Sequence, residues 1–413
     1  MTTLWKERYS QRTQRMSRSV IRELLKLTTQ PDVISFAGGL PAPELFPTEK
    51  CQEAACRVLQ EHGAAALQYG PTEGFEPLRR FIRDQMAEIG VKADPANIII
   101  TNGSQQALDL VGKILINPGD HILVEEPTYL GALQAWNAYQ AEYVPVPCDD
   151  DGLRTDLLEA ALRAGPKFMY VLPNFQNPGG TTLRLERRHE LVRLSERYGV
   201  PIVEDDPYGA LRYEGEHLSP LAALDAALHA SAGLNGQGFV AGNVIYLGTL
   251  SKTLAPGLRL GWVLAPIEVV DRLVMAKQGA DLHTGSFAQM VAYEVVRDGS
   301  LSEHIELIRR VYRERRDVML AALEHYFPEG CSWTHPEGGL FLWARVPEWI
   351  DTSALLKDAV ERRVAFVPGF AFYSDPSRGH NTMRLNFSNA RPAEIEEGIR
   401  RLGDLLKKTI AKH

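Results

Sequence analysis

Residues 244–265 read VIYLGTLSKTLAPGLRLGWVLA: two apolar runs rich in β-branched and aromatic side chains, parted by a loop bearing Thr249, Ser251, Lys252, Pro256 and Arg259. Each run is strand-length and too uniformly apolar for a half-exposed strand, so both belong in a sheet covered on its two faces. Upstream the pattern recurs. NIIIT (97–101), HILVEE (121–126), FMYVL (168–172) and VPIVEDD (200–206) alternate with segments of helical period, which predicts parallel strands joined by crossover helices. After NIIIT a helix is expected from Ser104, with Ala107, Leu108, Val111, Ile114 and Leu115 on one face and Asn117-Pro118-Gly119-Asp120 as its stop.

Outside this α/β core the pattern changes. SVIRELLKL (19–27) predicts a short helix, and the prolines and glycines of FAGGLPAPELFP (36–47) forbid regular structure, so residues 1–47 read as an arm. From about residue 287 a long charged helix runs to Phe327, followed by the strands FLWARV, VAFVPG and TMRLNFS and a terminal helix. The expected organisation is a large domain over 48–286 with a mostly parallel sheet sandwiched by helices, and a smaller α+β domain over 287–413 that the arm joins. Residues 222–243, rich in Ala and Gly, read as a surface excursion, because glycine weakens any helix past Ala232.

Composition excludes whole classes. The 413 residues are 45% hydrophobic and 23% charged, near globular averages, which argues against disorder and fibres. A net charge of -7 gives no general attraction to nucleic acid or anionic lipid. There is no apolar run of about 18 residues that could span a membrane, and no 20-to-50-residue repeat. The first twenty residues are polar and basic, without the apolar core of a secretory signal, so the cytoplasm is the expected location. Cys51, Cys56, Cys148 and Cys331 are scattered, without metal-site spacing, and read as buried free thiols. No metal is expected. The sequons at Asn102 and Asn386 then carry no meaning.

Several positions invite chemistry, each with a plainer alternative. Lys252 stands at a strand exit, where α/β sheets bind ligands, amid hydroxyls and a guanidinium suited to a phosphate dianion; the Ser-Lys pair alone reads first as a solvated loop lysine. Asp205 ends an apolar strand, as a buried carboxylate or as a turn residue ahead of Pro207, and Asp206 beside it would face solvent. The start of the helix at Gly103, Ser104 and Gln105 offers amides and a dipole to an anion, or is a simple cap. Tyr129 in EEPTYLGAL, Tyr69 in LQYGPTEG, Asn177 in QNPGG, Gly39 in FAGGLP and Arg384 in NTMRLNFS read singly as core tyrosines, turns and a surface ion pair.

In sequence order these segments resemble the fold-type I pyridoxal-phosphate aminotransferases of class I and II, over almost the whole chain from about Ser19. The resemblance implies the cofactor pyridoxal 5'-phosphate and a role for each position. Lys252 would bond the cofactor, and Asp205 would keep its ring nitrogen protonated. Tyr208 and Asn177 would reach its phenolic oxygen, and Tyr129 would stack on its ring. Gly103, Ser104, Gln105, Thr249, Ser251 and Arg259 would hold its phosphate. Arg384, with Gly39 and Asn177, would take the substrate carboxylate. Tyr69 would cross a homodimer interface to the neighbouring phosphate. Thr249 replaces the family's commoner serine and Gly179 its commoner threonine, without loss of the asparagine.

FAGGLPAPELFP, LQYGPTEG, GSQQALDL and KQGADLHT are most similar to the branch that contains 2-aminoadipate, kynurenine and aromatic or multi-substrate aminotransferases. There Arg22 would meet an acidic substrate's distal carboxylate; otherwise it is a solvated helix arginine near Glu23 and Lys26. The implied reaction moves an α-amino group from an amino acid to a 2-oxo acid such as 2-oxoglutarate, in two half-reactions, with Lys252 shuttling the proton. Two rivals stand beside it: a β-lyase or decarboxylase at the same site, and a cofactor-binding regulator domain. The second lacks room for a DNA-binding head ahead of FAGGLP. No G-x-G-x-x-G after a strand, no P-loop and no G-x-S-x-G occur, which sets aside dehydrogenase, P-loop and α/β-hydrolase readings.

Overall fold

The apolar runs form strands where expected. A computed structural model describes residues 3–16, 32–231, 240 and 242–412. In chain order the strands are β1 (Ile34–Ser35), β2 (Ile98–Thr101), β3 (His121–Glu126), β4 (Glu142–Asp149), β5 (Gly152–Leu153), β6 (Met169–Val171), β7 (Ile202–Asp205), β8 (Val244–Thr249), β9 (Gly261–Leu264), β10 (Ser332–Trp333), β11 (Phe341–Arg345), β12 (Val364–Ala365), β13 (Val367–Pro368) and β14 (Thr382–Asn386).

One sheet of eight strands has the order β2-β9-β8-β7-β6-β3-β4-β5. Strands β4, β3, β6, β7 and β8 pair in parallel, and every residue of β2, β6, β7 and β8 is buried, as helices on both faces require. β9 runs antiparallel to both β8 and β2, and the short β5 antiparallel to β4. Residues 250–260 are too few for a crossover, which needs about a dozen residues or more, so the chain turns straight back. β4 escaped the sequence reading because Pro145 and Pro147 interrupt it; only the two-residue β5 lies beyond it, and sheet margins tolerate proline.

A second sheet, β10-β11-β14-β13, is antiparallel throughout. Beside it β1 pairs in parallel with β12, Ile34 opposite Val364, so the segment ahead of FAGGLP is stitched to the C-terminal part of the chain. Helix Ser300–Tyr326 packs along helix Pro392–Ile410 behind this sheet.

Three expectations need correction. The single long charged helix is two: Ser286–Val296 packs on helix Thr48–Ala66 and buries Met290, Val291 and Val295, and Gly299, at φ 86°, turns the chain before Ser300–Tyr326 begins. The 222–243 stretch is not wholly superficial, since helix Leu221–Ser231 buries Leu221, Ala222 and Ala226. Its first amides, of Leu221 and Ala222, donate to the Glu204 carboxylate at 2.8 and 2.9 Å. The thiols are free, but Cys56 is exposed and the other three are half-buried. No helix among the described residues is long and apolar enough to cross a membrane.

Candidate active site

The parallel strands deliver their carboxyl ends to one edge of the sheet, where such folds bind ligands. Asp205 closes β7, Thr249 closes β8, Ser251 and Lys252 follow, and Gly103 caps the helix after β2. Arg384 comes from elsewhere, the middle of β14 in the second sheet.

Asp205 is buried. Its Oδ2 accepts the Tyr170 hydroxyl at 2.8 Å, while its Oδ1, equally buried, has no partner. Burial pushes its pKa up to about 7; the Tyr170 bond opposes that and Asp206 adds to it. An orphaned carboxylate oxygen in a dry site is costly, and a cationic N–H would relieve it.

The Lys252 ammonium donates to the Gly39 carbonyl at 2.8 Å, which ties the FAGGLP loop to the strand end. Burial, then the Arg384 and Arg259 charges, bring its pKa down to about 8, so near neutral pH a fraction is free amine. Arg384 is 1% exposed. Its Nη1 donates to Asn177 Oδ1 and its Nη2 to the Ala37 carbonyl, both at 2.8 Å, and its plane lies between Phe341 and Phe372, 4.2 and 4.9 Å from the ring centres. Its Nε has no partner, and burial lowers its pKa to about 10. The Asn177 amide also bonds the Tyr208 hydroxyl, and burial first of all keeps that phenol protonated.

A tight knot forms at the helix start. Gly103 sits at φ 73°, and a Cβ there would meet Arg259 Nη2 at 2.7 Å. Arg259 is held at φ 54°, in the left-handed region, with Nη2 donating to the Asn102 carbonyl at 3.3 Å. Its side chain is exposed rather than buried, standing at the mouth of the site. Ser104 Oγ is buried without a partner. The first-turn amides of a helix have no intrahelical acceptors, so this corner offers hydroxyl, amides and guanidinium to an anion.

Other expected residues are already engaged. The Gln105 side-chain amide donates to the Gly131 carbonyl at 2.9 Å. The Thr249 hydroxyl accepts from the Ser251 amide at 3.1 Å and donates to the Leu260 carbonyl at 2.9 Å, closing the turn beneath Lys252. Tyr129 folds its ring over Gly131, where any Cβ would strike it at 2.5 Å. Burial raises its pKa, and it senses Asp205, Arg384 and Arg259 together. Tyr69 stands apart: its ring is 78% exposed, edge-on to His283. Asp206 does not face solvent as expected; it gathers the Asn174 amide, the Gly209 N–H and the Tyr246 hydroxyl at 2.8 to 3.1 Å. Arg22 lies outside the described residues.

Residues 32–402 match the family model for aminotransferase class I and II. The chain belongs to the class I and II aminotransferases. It is 47% identical to aromatic-amino-acid aminotransferase 1 of Thermococcus litoralis, over 99% of this chain and 97% of that one. A multiple substrate aminotransferase from Thermococcus profundus superposes with a TM-score of 0.91 at 44% identity, covering 100% of each chain. The α-aminoadipate aminotransferase of Thermus thermophilus, solved with N-(5'-phosphopyridoxyl)-L-leucine, does so with a TM-score of 0.90 at 42% identity, again over 100% of both.

Three side chains of this aminotransferase's site escaped the sequence reading. Tyr170 sits in FMYVL, and its signal was a hydroxyl inside an otherwise apolar strand, which needs a buried partner. Phe341 and Phe372 flank Arg384 from outside any motif, and only the folded register reveals them.

Proposed function

We propose that this aminotransferase carries pyridoxal 5'-phosphate on Lys252 and moves the α-amino group of an aminoadipate, aromatic or aliphatic amino acid to a 2-oxo acid such as 2-oxoglutarate, in a ping-pong cycle. The observation that carries the reading is the Lys252 amine, bonded to the Gly39 carbonyl and shifted toward its neutral form by burial and by the Arg384 and Arg259 charges. The residues fit the cofactor. The orphaned Asp205 Oδ1 is an acceptor for the ring N–H, and Tyr208 and Asn177 suit its phenolic oxygen. The partnerless Ser104 Oγ, the Gly103 cradle and Arg259 suit its phosphate.

When bound, the cofactor supplies an electron sink for the carbanion left at the substrate's Cα. This chain's residues do the rest. Arg384 grips the α-carboxylate with its planar fork and thereby fixes which Cα bond is presented. Lys252, as free amine, takes the Cα proton and returns it, a task for which a base titrating near neutrality is suited. Asp205 stays ionised against the ring N–H, and the rings of Phe341, Phe372 and Tyr208 keep water from Arg384.

The exposed Tyr69 is free to reach a second copy's phosphate, so we assign a homodimer with sites at the interface, working in the cytoplasm. The chain divides into a cofactor-holding part over 48–286 and a second over 287–413 joined by the N-terminal 1–47, a division the β1–β12 pairing supports and across whose border helix Ser286–Val296 runs. For acidic donors we assign Arg22 as the distal-carboxylate contact.

Purified protein with the cofactor and 2-oxoglutarate, offered 2-aminoadipate, glutamate, leucine, phenylalanine, tyrosine and kynurenine, should form glutamate and the matching oxo acid from all but glutamate. Lys252→Ala should abolish turnover, and wild-type rates in that variant would sink the assignment. Pyruvate and ammonia from serine or cysteine without an acceptor would make it a lyase instead. Arg22→Ala should impair 2-aminoadipate far more than leucine, and equal losses would remove that role.

A further inference from the structure

Behind the helix start, away from Lys252, lies a buried polar cluster to which nothing above gives a task. Lys277 is a fully buried lysine at the end of helix Ile267–Gln278. Its ammonium reaches both oxygens of Asp281 at 2.9 Å and Gln106 Oε1 at 2.7 Å. Asp281 Oδ2 in turn accepts the side-chain amides of Asn102 at 2.6 Å and Gln106 at 2.7 Å. Gln106 Oε1 also accepts the Asn102 backbone N–H at 2.8 Å, so the peptide just before Gly103 is clamped from both sides.

The clamp continues beyond Asp281. Leu282 stands at φ 66°, a left-handed conformation that a branched side chain keeps only where its surroundings over-determine it. That reversal aims Asp281 inward and lets His283 Nε2 accept the Gly70 N–H at 3.2 Å, next to Tyr69. Thr284 then donates to the Ile100 carbonyl at 3.2 Å, in the strand leading to Asn102. One short segment, 277–284, thus registers both the Gly103–Ser104 corner and the Tyr69 turn.

We propose that Lys277 and Asp281 are positioning residues for the cofactor's phosphate: a buried brace that fixes the Asn102–Gln106 backbone so that its amides, Ser104 Oγ and Arg259 converge on one anion. Neither residue touches the ligand. The inference rests on the cofactor assignment made above and adds a determinant of cofactor retention to it. A fully buried ammonium is costly unless every proton finds an acceptor, and here all its partners lie in or against the phosphate corner, so breaking the pair loosens that corner before anything else.

The test compares two ligands that both react with Lys252 and differ only in the phosphate. Cofactor-free wild type, Asp281→Asn and the double variant Lys277→Met/Asp281→Leu are titrated with pyridoxal 5'-phosphate and with pyridoxal, following the absorbance of the bound aldehyde. Thermal melts check folding, and amide hydrogen exchange is read at residues 102–106. The brace predicts a loss of about tenfold in affinity for the phosphorylated ligand, the size of one coupled buried interaction, with pyridoxal affinity unchanged. Exchange at 102–106 should quicken in the same variants. Equal losses for both ligands, or no loss in a folded variant, would overturn the proposal. Should the double variant not fold, Asp281→Asn alone decides, through the ratio of the two affinities. Wild type that binds neither ligand would instead bring down the cofactor assignment, and this inference with it.

Discussion

Asp205 and Arg384 are two desolvated charges of opposite sign in the site, and they are satisfied in opposite ways. Asp205 ends a strand and keeps one buried oxygen unpartnered. Arg384 lies mid-strand and already spends both terminal nitrogens on Asn177 and Ala37. A ring N–H arriving at Asp205 makes a bond where none existed, whereas a carboxylate arriving at Arg384 must exchange with internal acceptors. The first arrangement favours a ligand that stays, the second one that comes and goes. On the roles proposed above, that would be the division of labour between a resident cofactor and a turning-over substrate.

The comparison can be broken most forcibly at Asp205. Asp205→Asn should cut kcat/KM by about 10²–10³, the cost of removing one preorganised charge, and weaken cofactor binding. The same change should stabilise the cofactor-free protein. A carboxyl whose folded pKa is raised from 3.8 to about 7 binds more protons folded than unfolded between those values, so its penalty grows as pH rises from about 4 to about 7 and then levels. Melts of variant and parent should diverge over that window and run parallel above it; a pH-independent difference would refute the buried, unpaired state of Asp205.

At the other end, Arg384→Lys keeps the charge and loses the fork. It should raise KM for amino donors about 10–100-fold, the cost of a lost charged hydrogen bond, while cofactor affinity holds. Loss of both would erase the distinction drawn between the two ends. Gly103→Ala, which pushes a Cβ into Arg259 at φ 73°, should weaken cofactor binding by about 1–3 kcal/mol and leave the KM of the loaded enzyme alone. Tyr170→Phe is the mildest change: it leaves both Asp205 oxygens without internal donors, costs about 1 kcal/mol, and raises the Asp205 pKa further in the cofactor-free protein.

Much of this was legible in the chain, for physical reasons. Strand ends with fixed chemistry, such as Asp205, the Lys252 loop and the Gly103 corner, show themselves locally, because an apolar run that stops at a polar residue marks both the strand and its mouth. The reversal of β9 was available too, from the shortness of 250–260, but went unread beneath the dominant parallel pattern. What could not be read depends on register. Tyr170 sits opposite Val203, two residues from Asp205, a relation that no spacing within FMYVL encodes. Asp206 was misplaced for the same reason, since its partners Asn174 and Tyr246 come from 32 and 40 residues away.

The pairing of β1 with β12 also bears on motion. Phe36 is gripped by the Ala365 carbonyl, Ala37 by Arg384, and Leu40 by Ser388, so residues 34–40 travel with the antiparallel sheet wherever it goes. Gly39 sits on that travelling piece and holds Lys252, which belongs to the other sheet. Any rocking of one sheet on the other therefore tugs on that amine, as it does on the Arg384–Asn177 bond. A shift of one half on the other would reach the Lys252 nitrogen through its bond to Gly39, so on the roles proposed above the piece that carries the Arg384 contacts would also govern the freedom of the lysine.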